Sequence, residues 1–131
     1  LLTLIGRISD GLPLAANTGD DEKVLKNIYE YQTQGKLILK KLTDRSPDKC
    51  TIETGPYSFH YLIDLNVCYL VLCDKNLSKR AAFAYLEELS QEFNTQYGRK
   101  VSSAIRPYTF IEFDSFIRKA SKKITESRSR R

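Results

Sequence analysis

Seven consecutive residues, Val67-Cys68-Tyr69-Leu70-Val71-Leu72-Cys73, carry no charge and almost no polarity. A strand with one wet face alternates apolar and polar side chains. An unbroken apolar run of this length is the pattern of a central strand covered on both faces. The run is far shorter than the roughly 18 residues of a membrane span. The chain must therefore supply a sheet and a layer on each side of it. Its 131 residues, 41% apolar and 28% charged, suffice for one domain with one core. That balance argues against global disorder. Leu1–Ile5 is too short for a signal-peptide core and meets Arg7 at once. The absence of an initiating Met suggests a piece of a longer protein.

The remaining periodicities supply the layers. Leu2–Ile8 reads as a strand, Asp10-Gly11 as a tight turn, and Leu12–Ala16 as the returning partner. Pro13 cannot donate a ladder hydrogen bond, which places that partner at an edge. Between Glu22 and Leu42, Val24, Ile28, Tyr31, Ile38 and Leu42 recur at helical spacing. Gly35 falls on their face; Leu25, Tyr29 and Leu39 fall beside or off it. Asp44–Asp48, with Pro47, stops this helix. Cys50–Thr54 is a short strand and Gly55-Pro56 a turn. In Tyr57–Asp64, Tyr57, Phe59, Tyr61 and Ile63 alternate with Ser58, His60, Leu62 and Asp64, which predicts a half-buried strand. After the apolar run, Asp74–Ser78 leads into a helix over Lys79–Asn94 with Ala82, Leu86, Leu89 and Phe93 inward. Gly98–Ile105 reads as a loop. Arg106-Pro107 opens a third helix, with Phe110, Phe113, Ile117, Ala120 and Ile124 inward. Short connections between consecutive strands favour antiparallel pairing. The expectation is an α+β domain of three layers, a five-stranded sheet between helices.

Charge and chemistry narrow the function. The net charge is +5, but residues 117–131 hold seven bases and one acid, and the rest of the chain nets −1. The folded body is neutral and only its end is basic. Such an end fits a solvated helix terminus, an anionic membrane surface or phosphates. The neutral body disfavours nucleic acid as a partner. Cys50, Cys68 and Cys73 are an odd set, which argues against a disulfide framework. Cys68 and Cys73 face opposite sides of one strand and cannot grip one metal. No glycine loop for phosphate, no GxSxG and no HExxH occurs. His60 has no nucleophile placed beside it by any pattern. Glu87, Glu88 and Glu92 read as a solvated helix face. Aromatics among bases over Arg106–Lys119 could stack nucleotides, but their helical period favours a core stripe. No enzyme, cofactor or metal is expected.

Four segments occur here in a telling order: Asp10-Gly11-Leu12-Pro13-Leu14-Ala15, Cys68–Asp74, Ala82-Phe83-Ala84-Tyr85-Leu86-Glu87-Glu88-Leu89, and Arg106–Ile117. Together they resemble the N-terminal longin domain of the ER–Golgi vesicle-trafficking SNAREs of the Sec-twenty-two type, over essentially the whole chain. The resemblance implies the longin (profilin-like) fold in the order ββαβββαα, with one helix on one face and two on the other. It implies a longin domain over residues 1–126 and, over 127–131, the basic start of a linker to a SNARE helix and membrane anchor. It also implies a regulatory and sorting module that binds its own downstream segment and the inner coat of COPII vesicles. Cognate SNAREs would be engaged through the missing part, and the membrane only through the missing anchor. The location implied is the cytosolic face of the endoplasmic reticulum, the ER–Golgi intermediate and the Golgi.

A binding groove is expected between the first helix and Cys50–Thr54, the best candidate for an edge strand. Tyr31, Gly35, Leu39 and Ile52 are its expected lining, and Arg128, Arg130 and Arg131 the membrane-proximal basic end. Three other readings compete: a longin-like small subunit of a coat adaptor or tethering complex, an RNA-binding domain, and an enzyme using His60.

Overall fold

The apolar run becomes the middle of five strands. The structure, a computed structural model, describes residues 2–8, 11–17, 28–42, 48–54, 57–64, 66–74, 78–103 and 110–129. The strands are β1 (Leu2–Arg7), β2 (Pro13–Asn17), β3 (Lys49–Thr54), β4 (Tyr57–Asp64) and β5 (Val67–Asp74). The helices are α1 (Ile28–Lys41), α2 (Lys79–Tyr97) and α3 (Asp114–Ser129). The sheet order is β2-β1-β5-β4-β3, and every neighbouring pair is antiparallel. The expected α+β longin architecture is present.

Local chemistry explains the turns. Gly11 closes the first hairpin at φ +70°, where a side chain would be strained, and its N–H donates to the Arg7 carbonyl at 2.8 Å. Asn66, at φ 66°, performs the same task between β4 and β5, and asparagine tolerates that region. Ser78 caps α2, its hydroxyl accepting from the Ala81 N–H at 3.1 Å. That is the helix-start role expected of this segment.

The two faces of β5 divide the core. Cys68, Leu70 and Leu72 join Leu2, Leu4, Phe59, Tyr61, the α1 residues Tyr31 and Leu39, and Leu42 just past the helix. Tyr69 and Val71 join Ile5, Leu62, Leu86, Leu89 and Phe93, with Phe110, Phe113 and Ile117. Phe93, fully buried, meets the rings of Tyr69, Tyr97, Phe110 and Phe113 with centroids 5.2–5.9 Å apart. Phe110 and Phe113, at the entry to α3, are thus core, not a stacking platform, and Tyr108 lies outside the described residues. Two polar ties bridge layers: Thr3 Oγ1 and Tyr85 Oη share a buried hydrogen bond of 2.8 Å, and Arg7 Nη1 donates to the Val101 carbonyl at 2.7 Å.

Three local expectations change. β4 is buried on both faces from Ser58 to Leu62, not half-buried. The reason is a helix on each side: Phe59 and Tyr61 face α1's side, and His60 meets Phe83 of α2. In α1 the inward stripe runs through Leu39, fully buried, while Ile38 is only half-buried. The expected loop after α2 contains a 3-10 turn, Val101–Ser103, with Val101 buried. A second 3-10 turn, Ile111–Phe113, precedes α3; Arg106 and Pro107 lie outside the described residues, as do 18–27.

Candidate functional site

Sheet edges are where a sheet can recruit another chain, because half their backbone groups have no ladder partner. This sheet has two edges, β2 and β3. At β2 the Leu14 carbonyl accepts from the Phe110 N–H at 3.0 Å, so the segment before α3 lies against that edge. Among the described residues nothing pairs with the outer side of β3. The Ile63 N–H donates to the Asp48 carbonyl at 2.7 Å. With the register Cys50↔Tyr61 and Ile52↔Phe59, those residues form the hydrogen-bonded pairs of the ladder. The backbone groups of Lys49, Thr51 and Glu53 therefore turn outward.

The two sides of this edge differ. On α1's side, Ile52 sits opposite Phe59 and keeps 36% of its surface exposed. Cys50 is half-buried beside Tyr61, whose hydroxyl is pushed up to about 12 by burial and then by Cys50. Tyr31 meets Tyr57 edge-on at 5.3 Å. Gly35 is buried, and a Cβ there would lie 3.1 Å from Leu70 and 3.9 Å from Phe59. The missing side chain lets the helix descend onto the sheet. A small apolar pocket, partly open to solvent, adjoins Gly35 away from β3 and is lined by Leu2, Leu4, Ala16, Lys36, Phe59 and Leu70.

On the other side, Lys49 Nζ bonds Glu87 Oε1 at 2.8 Å and lies 5.9 Å from the Phe83 ring centre. His60 packs edge-on against Phe83 at 5.5 Å, and its Nδ1 shares a 2.9 Å hydrogen bond with Thr51 Oγ1. Its Nε2 is buried with no hydrogen-bond partner. Burial, and then Lys79, hold His60 below its ordinary value. Its surroundings are those of a core histidine.

The structure thus groups Tyr31, Gly35 and Ile52 around Tyr57 and Phe59. Leu39 is not with them: it packs on Gly6 of β1, at the far flank of α1. Sequence reasoning missed Tyr57 and Phe59 as the link. The alternation placed them on one face but could not say which helix covers it. Arg128 lies within α3, and Arg130 and Arg131 lie outside the described residues. Cys68 and Cys73 are buried on opposite faces, and burial pushes the Cys68 thiol up to about 12. Among the described residues no cluster of three potential metal ligands occurs, and no helix is long and apolar enough to cross a membrane.

Comparison with known proteins adds a family. The Longin model, a regulated-SNARE-like domain, matches residues 15–117. The chain is 51% identical over 131 residues to vesicle-trafficking protein SEC22b-B of Danio rerio, covering 100% of this chain and 61% of that protein. It is 44% identical over 132 residues to the 25.3 kDa vesicle transport protein SEC22-1 of Arabidopsis thaliana, covering 99% and 60%. With protein transport protein sec22 of Schizosaccharomyces pombe it shares 45% over 114 residues, 86% of this chain and 53% of that protein. The chain spans about 61% of the length of the first of these relatives.

Proposed function

Since the chain belongs to the longin family, we propose that it is the regulatory and sorting domain of a SNARE that works in ER–Golgi vesicle transport. In this reading the domain captures its own downstream segment along β3. The closed form is then presented to the inner coat of COPII vesicles on the cytosolic face of the endoplasmic reticulum and Golgi. Cognate SNAREs meet the part of the protein beyond residue 131, and the domain itself performs no catalysis.

The observation that carries the reading is the β3 edge, which no described residue covers, with Ile52 exposed beside it. A strand added there gains main-chain hydrogen bonds from Lys49, Thr51 and Glu53. Its alternate side chains gain the apolar surface of Ile52 and its neighbours. Tyr31, Gly35 and Ile52 belong to this groove; Leu39 acts behind it, as core. The likeness to vesicle-trafficking proteins over the whole chain supports the cellular setting.

Sequencing the transcript past the codon for Arg131 is the first test. About 60 residues of apolar heptads, then about 20 apolar residues, are expected. A stop codon or an unrelated domain would overturn the SNARE reading. The peptide so identified is then titrated into this chain. Ile52→Asp should weaken binding at least about tenfold; unchanged affinity in a folded variant would remove the groove.

A further inference from the structure

We propose that the outward face of α3 is a docking surface for anionic phospholipid, separate from the β3 edge. The family resemblance confines membrane contact to an anchor outside this chain, while the sequence leaves the basic end of residues 117–131 open to a helix terminus, an anionic membrane or phosphates; the folded helix selects among these. Phe113, Ile117 and Ala120 are buried against the rest of the domain. Helical geometry puts Ser115, Arg118, Lys119 and Lys122 on the opposite side, at spacings of three and four. All four are exposed. Ile111, on the 3-10 turn leading into the helix, adds a large apolar side chain that is 49% exposed. The face therefore carries three cations within about two turns, with one aliphatic group at its end.

Neighbouring acids offset part of this face: Glu112 is exposed beside Ile111. Asp114 lies 3.6 Å from Arg118 in an exposed i,i+4 pair, which contributes little. Lys123 and Arg128 follow in the same helix, and residues 110–131 hold seven bases against three acids, Glu112, Asp114 and Glu126, a net of +4. The lysines of α1 are a contrast. Lys36, Lys40 and Lys41 are exposed around Leu37, but Ile28–Lys41 holds these three bases and one acid, Glu30, a net of +2 against the +4 of residues 110–131.

The chemistry favours a lipid surface over a protein partner. A helix face is convex, and its cations ride on long flexible stems. A protein partner would have to offer a groove shaped to this helix with acids matched to its cations, whereas a fluid anionic bilayer rearranges around the cations and accepts a single aliphatic side chain at headgroup depth. Each Lys or Arg near such a surface raises partition roughly fivefold.

Vesicle sedimentation of the 131-residue chain tests the proposal. Vesicles of phosphatidylcholine with about 30% phosphatidylserine should retain the protein at low salt and release it at high salt. Pure phosphatidylcholine vesicles should not retain it. Arg118→Glu/Lys119→Glu/Lys122→Glu should lower partition more than about 100-fold, and Lys119→Gln alone about fivefold. Lys36→Glu/Lys40→Glu/Lys41→Glu on α1 should lose less than the α3 variant. Melting curves establish that each variant is folded. Equal retention by neutral vesicles would overturn the proposal. So would unchanged binding of a folded α3 variant, or an α1 variant that loses as much. Tighter binding to polyglutamate or to RNA than to the anionic vesicles would also overturn it and assign the face to that partner.

Discussion

The packing of Leu39 on Gly6 yields a sharp energetic test of which α1 residues are core. A Cβ at position 6 would stand 2.6 Å from Leu39 Cδ1, 3.2 Å from Cδ2 and 3.4 Å from the Leu12 carbonyl oxygen. Carbon atoms pack at about 3.5–4 Å, so Leu39 must retreat by about 1 Å. It is fully buried and has no solvent to swing into. Gly6→Ala should therefore cost about 1–3 kcal/mol through overpacking. Leu39→Ala should cost about 2–5 kcal/mol through lost burial and the cavity left behind. In the double variant the alanine methyl at position 6 partly refills that cavity. Gly6→Ala should then cost close to nothing, apart from the nearby Leu12 carbonyl, giving a coupling of about 1–3 kcal/mol. Urea unfolding of the four proteins, followed by far-ultraviolet circular dichroism, measures it. With a slope of about 1–3 kcal/mol per molar, the midpoint of the single Gly6→Ala variant should fall by about 1 M. Additivity within about 0.5 kcal/mol would refute the contact and return Leu39 to the surface of the groove.

Phe93 is the hub of the aromatic cluster and is fully buried, so Phe93→Ala should cost about 3–5 kcal/mol, read as a fall in the urea midpoint; a loss under about 1 kcal/mol would contradict the packing. Burial lowers His60 beneath its ordinary 6.5, so as pH falls below that value the unfolded chain takes up the proton first and the folded form loses stability. The melting temperature should drop between about pH 7.5 and 5.5, and less in His60→Phe than in the parent; equal drops would show that His60 does not contribute.

Much of this fold was legible in local patterns, and the exceptions have a common cause. Val67–Cys73 demanded cover on two faces, Ser78 marked a helix start, and Pro13 marked an edge. Each depends on the chemistry of a few adjacent residues, so each could be read without coordinates. Likewise, the ordered segments from Asp10-Gly11 to Arg106–Ile117 pointed to the longin family before any contact was known. What local pattern could not carry was which neighbour each face would meet. The alternation in Tyr57–Asp64 predicts one dry face, yet helices from two distant parts of the chain cover both. Leu39 and Ile38 are adjacent on one helix; the contact with Gly6 of β1 decides which is core. The pairing of β1 with β5, Leu2 opposite Leu72, leaves β2 and β3 at the edges. The Phe110 N–H on Leu14 then occupies one edge, and among the described residues β3 is the edge that stays open. Periodicity reports how a segment is solvated on average; the identity of an open edge is a property of the whole sheet, created only when strands far apart in the chain have paired.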